Sequence, residues 1–293
     1  MLALIAGTGD LPPALVARLP QRPLVCALAG FRPAVTPDIT FRIERLGSLL
    51  VDLRARGVTH VCLAGAVRRP EVDPSLIDAA TAPLVPRIAD AIAKGDDGAL
   101  RAVIAIFEEA GFTIRAAHDI APDLLPAAGV YGAGQPELRH KQDAATAETV
   151  LREMGLADSG QACLVRAGRV LAREGADGTD AMMHRFAGAP DPLWGAMDAL
   201  GDVLGAASEW LSGPDGTPAD LGGAILFKGP KPDQDRRADL PVIGPQTAVQ
   251  AVRAGLAGIV IEAGGVMVLD QDRVTATLAQ AGQFLWVRPK GGV

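Results

Sequence analysis

The sequence predicts an α/β protein built from two domains, an N-terminal Rossmann-like doubly wound sheet and a C-terminal α/β domain. Strand-like apolar runs alternate with helix-periodic segments along most of the chain, which is typical of α/β folds. The 293 residues exceed the size at which single cores tend to split. A stretch rich in Pro, Gly and Ala, Asp123–Pro136, separates two runs of this pattern. We therefore predict domains at residues 1–134 and 135–293.

The composition of the chain excludes several classes of protein and indicates how its cores are built. Hydrophobic residues make up 49% of the chain but aromatic residues only 4%, so Ala, Val, Leu and Ile must form the cores. The net charge of −6 argues against a nucleic-acid partner. We find no apolar run of the roughly 18 residues that span a bilayer, and no basic N-terminal region typical of a signal peptide. The cysteines, Cys26, Cys62 and Cys163, lie in separate apolar runs and are predicted to be reduced core residues of a cytosolic protein.

The chain opens with the elements expected of a doubly wound domain. A strand at Leu2–Ala6 runs into a glycine-rich turn, Gly7–Pro12, and a helix follows to about Arg18. Such a turn brings the backbone close to a ligand, and the helix N-terminus can accept an anion. Pro12, however, occupies the place of the third glycine of a dinucleotide fingerprint. The second strand, Pro23–Leu28, is followed by no acidic residue for a ribose, so NAD or NADP is disfavoured. A ligand-contacting turn and a purely structural turn both remain open.

The rest of the N-terminal half continues the same alternation. A second glycine turn, Gly65–Pro70, follows a strand and should lie at the same sheet edge as the first turn. The remaining predicted elements are a helix at Gly47–Arg56, a strand at Thr59–Ala64, helices at Pro83–Ala93 and Asp97–Ala110, and a strand at Phe112–Arg115.

The C-terminal half begins with a helix and a hairpin. The hairpin is predicted from two apolar strands turned at Ala167–Gly168. The predicted elements are a helix at Leu138–Met154, strands at Ala162–Arg166 and Arg169–Glu174, a helix at about Leu193–Leu211, strands at Ala224–Phe227 and Leu240–Ile243, a helix at Thr247–Ala254, strands at Gly258–Glu262 and Val266–Leu269, and a last helix capped by Asp270.

Three acidic residues follow the hairpin within seven positions: Glu174, Asp177 and Asp180. Carboxylate oxygens at such spacing suit a hard cation such as Mg²⁺. Thr179 or Asp180 could equally cap the helix that begins near Gly178. The sequence is compatible with both a cation site and a helix cap at these residues.

The most charged segment of the chain is Lys228–Gly244, with the sequence KGPKPDQDRRADLPVIG. Its prolines limit the backbone, and it lies between two strand-like runs, where α/β proteins keep their chemistry. Lysine and arginine bind phosphates, so Lys228, Lys231 and Arg236 are candidate anion ligands. Asp239 could ligate a metal or orient a water. A merely solvated charged loop is the alternative.

Five motifs taken together carry a family resemblance. They are IAGTGDLP at 5–12, AKGDDGALR at 93–101, GTDAM at 178–182, the charged segment at 228–244 and AGLAGIVIEAG at 254–264. In this order they resemble the LpxI-type UDP-2,3-diacylglucosamine diphosphatases of lipid A biosynthesis. The resemblance implies Mg²⁺-dependent cleavage of UDP-2,3-diacylglucosamine to UMP and 2,3-diacylglucosamine 1-phosphate (lipid X). It also implies two α/β domains with the substrate held between them.

The resemblance assigns roles residue by residue. It makes Asp239 the aspartate needed for turnover. The candidates for holding the metal, chosen for their carboxylate oxygens, are Asp239, Glu174 and Asp180. Ala66 stands where the family often carries Asn, which puts one polar substrate contact in doubt. Substrate contacts are expected from Gly9, Leu11, Pro12, Asp143, Arg166, Thr179, Asp180, Met183, Lys228, Lys231 and Arg236.

The same resemblance implies partners and a location. The expected partners are UDP-2,3-diacylglucosamine and lipid X, and the protein is expected in the cytoplasm, peripheral at the inner face of the inner membrane. A homodimer is left open. Two alternatives remain: a non-enzymatic protein that binds nucleotide sugars or lipids, and a Rossmann-type oxidoreductase. An assay of UMP release separates the first alternative from the hydrolase.

Overall fold

The computed structural model describes residues 1–67, 70–93, 96–175, 177–185, 221–232 and 234–291. The helix predicted at about 193–211 lies outside these residues. The chain divides into two compact units, unit 1 (Met1–Leu125 and Asp233–Val242) and unit 2 (Pro126–Pro232 and Ile243–Val293). The prediction of two α/β domains is confirmed. The division differs from the predicted one because residues 126–134 group with unit 2 and the described part of 233–242 groups with unit 1.

Unit 1 is built on a parallel five-stranded sheet with the strand order β3-β2-β1-β4-β5. Leu4 of the central strand pairs with Val25 on one side and Cys62 on the other. The strands are β1 Leu2–Ala6, β2 Leu24–Leu28, β3 Ile39–Phe41, β4 His60–Ala64 and β5 Thr113–Ile114. The helices are α1 Leu11–Val16, α2 Leu46–Ala55, α3 Val85–Ala93, α4 Asp96–Glu109 and α5 Ala117–Ile120.

The order of the strands places a topological switch point at β1. The chain moves from β1 outward to β3 on one side and then crosses to β4 on the other, so the loops after β1 and β4 leave the sheet side by side. The core of unit 1 joins β1 to α2 and α4 through Ala3, Leu49 and Phe107. The sequence prediction missed β3.

Unit 2 contains a mixed six-stranded sheet with the order β6-β13-β11-β9-β7-β8. The central strand β11 runs parallel to β9 and β13, whereas β6 and β7 pair antiparallel with their neighbours. The strands are β6 Gly129–Gly132, β7 Ala162–Arg166, β8 Arg169–Arg173, β9 Ile225–Lys228, β11 Gly258–Glu262 and β13 Phe284–Arg288, and a separate two-stranded sheet pairs β10 Val242–Ile243 with β12 Met267–Val268. The helices are α6 Leu138–Leu156, α7 Gly178–His184, α8 Pro245–Arg253 and α9 Gln271–Gln280.

Both faces of the unit 2 sheet are covered. Helix α6 turns Ala147, Leu151 and other residues at helical spacing toward one face, against Val260. Helices α8 and α9 cover the other face, where Ile259 and Ile261 point. Successive side chains of β11 point to opposite faces of the sheet, so its continuous apolar run contributes to two cores. This is expected of a buried parallel strand.

The prediction that the three cysteines are reduced core residues is confirmed. Cys26, Cys62 and Cys163 are free and buried. Burial raises the pKa of each thiol to about 12, so the thiols stay protonated and unreactive. Among the described residues, no helix combines the length and the apolar content that a bilayer span requires.

Candidate active site

The two glycine turns of unit 1 bind each other at the switch point. Thr8 and Ala66 exchange backbone hydrogen bonds of 2.9 and 3.0 Å, and Gly7 N donates to Ala64 O at 2.8 Å. A Cβ on Gly7 would lie 2.5 Å from Ala66 O, which is closer than real Cβ contacts. Gly7 is therefore required for the close approach of the two turns.

The residues after Gly7 divide into an exposed turn and a buried helix. Gly9 has a φ of +93° and open space where a Cβ would stand. Leu11 and Pro12 are buried in unit 1 at the start of α1. Leu11 and Pro12 thus pack within unit 1, whereas Gly9 lies on the exposed turn, and the substrate contacts of all three stay predictions.

Unit 2 contains a buried chain of polar side chains, the Glu174–Thr179–Lys228 chain. Lys228 Nζ donates to Thr179 Oγ1 at 2.9 Å, and Thr179 Oγ1 donates to Glu174 Oε1 at 2.5 Å. Gln161 N donates to Glu174 Oε2 at 2.6 Å. All three side chains belong to residues at most 8% exposed. A buried ammonium and a buried carboxylate need such compensation, and the hydroxyl group supplies it to both.

Local structure explains why these residues meet. Glu174 directly follows β8, Thr179 lies in the first turn of α7, and Lys228 ends β9. Strand β7 pairs with both β8 and β9, so the ends of these elements are held near one another. Thr179 takes one of the three N–H donors of Lys228, which fixes the direction of the ammonium group.

The predicted three-carboxylate cation site does not form. Glu174 uses both oxygens within the protein. Asp177 pairs with Arg185, and Asp180 is exposed in the first turn of α7. In the part of the chain that the structure describes, no three His, Cys, Asp or Glu side chains converge in a way that could hold a metal ion. Glu174 therefore positions Thr179 and Lys228, and the structure gives no support to it as a metal ligand.

Two residues of unit 2 that were predicted to contact substrate, Asp143 and Met183, are buried among structural partners. Asp143 is 1% exposed, and its carboxylate accepts Ala167 N at 3.1 Å and Gly168 N at 2.6 Å. These bonds hold a hairpin turn in which both residues have positive φ. Met183 is fully buried in the core between the sheet and α8. Asp143 and Met183 thus have structural partners within unit 2, and their contacts with substrate stay predictions.

The two remaining predicted cations of unit 2 have partners in the same unit. Arg166 Nη1 donates to Gly222 O at 3.0 Å. Lys231 pairs with Asp158. Both cationic side chains are partly buried, so they retain surface from which an anion could be contacted.

Asp239 lies in unit 1, on a turn formed by residues 234–239. Gln234, which is 8% exposed, donates its side-chain amide to Asp239 Oδ2. Arg236 is half-buried in the same turn. Asp239 therefore belongs to a different unit from Glu174 and Asp180, with which the sequence grouped it as a metal ligand.

The ion pair between Arg237 and Asp235 stabilises the turn that carries Asp239. Arg237 donates to both oxygens of Asp235 and to Glu108 Oε1. Hydrogen bonds from Arg237 hold the pKa of Asp235 below its usual range. Asp235 and Glu108 together raise the pKa of Arg237.

Sequence reasoning missed three groups that organise these clusters: Gln161, Gln234 and Glu108. Gln161 acts through its backbone N–H, which leaves no mark on the residue type. Gln234 stood within the charged segment but carries no charge itself. Glu108 looked like one of many surface carboxylates on an amphipathic helix.

The fold and these clusters define a class, namely a two-domain α/β protein with charged side chains gathered at strand ends in unit 2 and on a turn beside α4 in unit 1. The chain belongs to the LpxI family: the family description of the LpxI N-terminal domain matches residues 1–124, and that of the LpxI C-terminal domain matches residues 127–286. The chain is 36% identical over 290 residues to the UDP-2,3-diacylglucosamine pyrophosphatase LpxI of Caulobacter vibrioides, an alignment that covers 97% of this chain and 96% of that protein. The family resemblance seen in the motifs is confirmed.

Proposed function

We propose that this protein hydrolyses the pyrophosphate bond of UDP-2,3-diacylglucosamine to UMP and 2,3-diacylglucosamine 1-phosphate, a step of lipid A synthesis. The observation that carries the proposal is the identity to the Caulobacter pyrophosphatase along nearly the full length of both chains. Two side chains support the proposal. Lys228 is a buried cation whose direction is fixed by Thr179, and the Asp239 carboxylate is held by a hydrogen bond from Gln234. Pyrophosphate hydrolysis needs a fixed cation and a group that accepts a proton from water.

The proposed reaction is a direct displacement. A water oxygen attacks the phosphorus on the sugar side, and the bond from that phosphorus to the bridging oxygen breaks. UMP leaves with the bond's electron pair, and Asp239 accepts the proton that the water loses. Lys228 offers positive charge to the phosphoryl oxygens, with Arg236 and Lys231 as further candidate cations. Hydrolysis in ¹⁸O-labelled water should place the label on the 2,3-diacylglucosamine 1-phosphate and leave UMP unlabelled.

Dependence on Mg²⁺ is part of the proposal. Magnesium is commonly bound through one or two protein carboxylates together with substrate phosphates. Single carboxylates such as Asp239 or Asp180 fit that mode, whereas a cage of three carboxylates does not fit the described residues. When bound, the ion would neutralise phosphate charge. Activity that survives exhaustive chelation would remove Mg²⁺ from the proposal.

The deciding experiment measures UMP release from UDP-2,3-diacylglucosamine by the wild type, Asp239→Ala and Lys228→Met. We expect both variants to lose kcat by orders of magnitude, since the groups act mainly in the transition state. Asp239→Ala should remain folded and retain substrate, which mass spectrometry of extracted ligand would detect. Exposed residues provide the matched controls, Asp272→Ala and Lys141→Met, which should behave as wild type. A wild type that binds the substrate without releasing UMP would favour the non-enzymatic binding protein.

The acyl chains of the substrate lead us to place the reaction at the cytoplasmic surface of the inner membrane. Each CH₂ group removed from water contributes about 0.8 kcal/mol, so the free substrate resides in a bilayer. Flotation of the protein with vesicles that contain the substrate, compared with vesicles that lack it, tests this placement.

A further inference from the structure

Asp239 is carried on a short turn that is closed by its own backbone. The carbonyl oxygen of Asp235 accepts hydrogen bonds from Ala238 N and Asp239 N, each at 3.1 Å. The Asp235 carboxylate accepts Arg237 N, also at 3.1 Å. A displacement of Asp235 would therefore move the backbone of Asp239 with it.

One guanidinium group fastens this turn to helix α4. Arg237 binds Asp235 through two donors at 3.0 and 2.7 Å, and it binds Glu108 Oε1 at 2.6 Å. Two parallel bonds to one carboxylate fix the plane of the guanidinium as well as its distance. Next to it, Ala238 packs against the core of unit 1, which includes Phe107 of the same helix.

The energetics favour a role in positioning over a role in stability. The side chains of Arg237 and Glu108 are 45% and 42% exposed, so solvent screens their attraction. A screened pair adds little to folding stability. Positional errors of about 1 Å, in contrast, can cost about a hundredfold in rate.

We propose that Glu108, acting through Arg237 and Asp235, is a positioning residue that sets the place of the Asp239 carboxylate; this inference rests on the role of Asp239 in the proposed function. Glu108 lies 129 residues before Arg237 in the chain. It contacts the turn and not the reacting groups, so its removal should affect the rate of the chemical step more than the binding of substrate.

The neighbouring residue provides a matched control. Glu109 ends the same helix and pairs with Arg87 at 2.6 Å, with side chains 66% and 38% exposed. Glu108→Ala should lower kcat about tenfold with KM changed less than about twofold. Glu109→Ala should leave both constants unchanged. Both variants should melt within about 2 °C of the wild type, since surface substitutions change stability little. If Glu108→Ala folds poorly, Glu108→Gln replaces it in the test. Glutamine keeps a hydrogen-bond acceptor but loses the charge, so we expect a smaller loss of kcat.

Hydrogen exchange, which needs no substrate, tests whether Glu108 holds the turn in place. The amides of Ala238 and Asp239 donate to Asp235, so their hydrogen exchange should be faster in Glu108→Ala than in the wild type or Glu109→Ala. The double variant Glu108→Ala/Arg237→Ala should be no slower in turnover than Arg237→Ala alone, because both changes remove the same contact.

Three outcomes would overturn the inference: equal kcat in the two single glutamate variants, unchanged exchange at the two amides, or additive losses in the double variant. If the wild type releases UMP and Asp239→Ala does not, the proposed function stands even when the inference fails. If the wild type releases no UMP, the proposed function fails, and the exchange experiment still decides whether Glu108 holds the turn.

Discussion

Replacing Thr179 with valine tests the Glu174–Thr179–Lys228 chain directly. Valine has nearly the same shape as threonine but neither donates nor accepts a hydrogen bond. The substitution removes the 2.5 Å bond to Glu174 and the 2.9 Å bond from Lys228 at once. It leaves the buried carboxylate with its bond from Gln161 N but without the hydroxyl group, and it removes the same hydroxyl partner from the buried ammonium.

The size of the expected stability loss in Thr179→Val follows from the burial and the charge of the two groups that lose a hydrogen bond. Hydrogen bonds to charged groups contribute about 1.5–3 kcal/mol each, but the two bonds here share one hydroxyl, so we expect a loss of about 3 kcal/mol in the free energy of unfolding. Both charged residues are at most 8% exposed, so solvent screening does not reduce this value. At about 2–4 °C per kcal/mol for a unit of this size, Tm should fall by roughly 6–12 °C.

The assay combines thermal unfolding with UMP release. Thr179→Ser keeps the hydroxyl and should retain most of the stability and activity. Thr146→Val is the matched control because the Thr146 hydroxyl donates to the uncharged Gln142 carbonyl at 3.2 Å, at an exposed place on α6; it should change Tm little. A Thr179→Val protein that melts within about 2 °C of Thr179→Ser and keeps its turnover would refute the reasoning, because the hydroxyl would then neither stabilise the buried charges nor hold Lys228.

Three further predictions concern stability. Gly7→Ala should lose about 1–3 kcal/mol in chemical denaturation, because its Cβ would meet Ala66 O at 2.5 Å; an unchanged midpoint would contradict this steric reading. Asp143→Ala should lose about 2–3 kcal/mol by removing the acceptor of two N–H groups at residues 167–168, and retention of wild-type Tm would contradict the structural role. Burial lowers the pKa of His140 below its usual value of 6.5, so the unfolded chain binds a proton there before the folded chain does. Stability should therefore fall as pH drops below about 6.5, and a Tm profile just as steep in His140→Asn would assign that fall to other groups.

Strands with continuous apolar runs could be predicted from the sequence. The bounds predicted for β1 and β11 agree with the structure because both strands are buried on two faces and need no partner to be recognised. The missed strands β6 and β3 depend on their neighbours instead. Gly129–Gly132 contains two glycines and becomes a strand by pairing with β13, and tertiary pairing of this kind overrides local propensity.

The candidate site was predictable in residue type but not in arrangement. The charged residues Lys228 and Asp239 stood out against an apolar sequence. Thr179 and Lys228, however, are 49 residues apart in the chain, and only the fold brings them together. The place of Met183 in the core could not be predicted either, because an apolar residue beside a functional motif has the same sequence signature whether it lines a ligand or fills a core.

The return of residues 234–242 to unit 1 has a consequence for the order in which the protein is made. Ala238 fills a place in the core of unit 1, and Arg237 binds Glu108 of α4, yet both are synthesised after most of unit 2. Residues 1–125 therefore leave the ribosome as an incomplete unit, and that part of their core stays uncovered until a segment more than a hundred residues downstream has been made. Closing so long a loop costs chain entropy and slows folding. A gene fragment that ends at residue 125 should for the same reason yield a protein that is less stable than unit 1 within the full chain, and supplying residues 234–242 through a short linker should restore it.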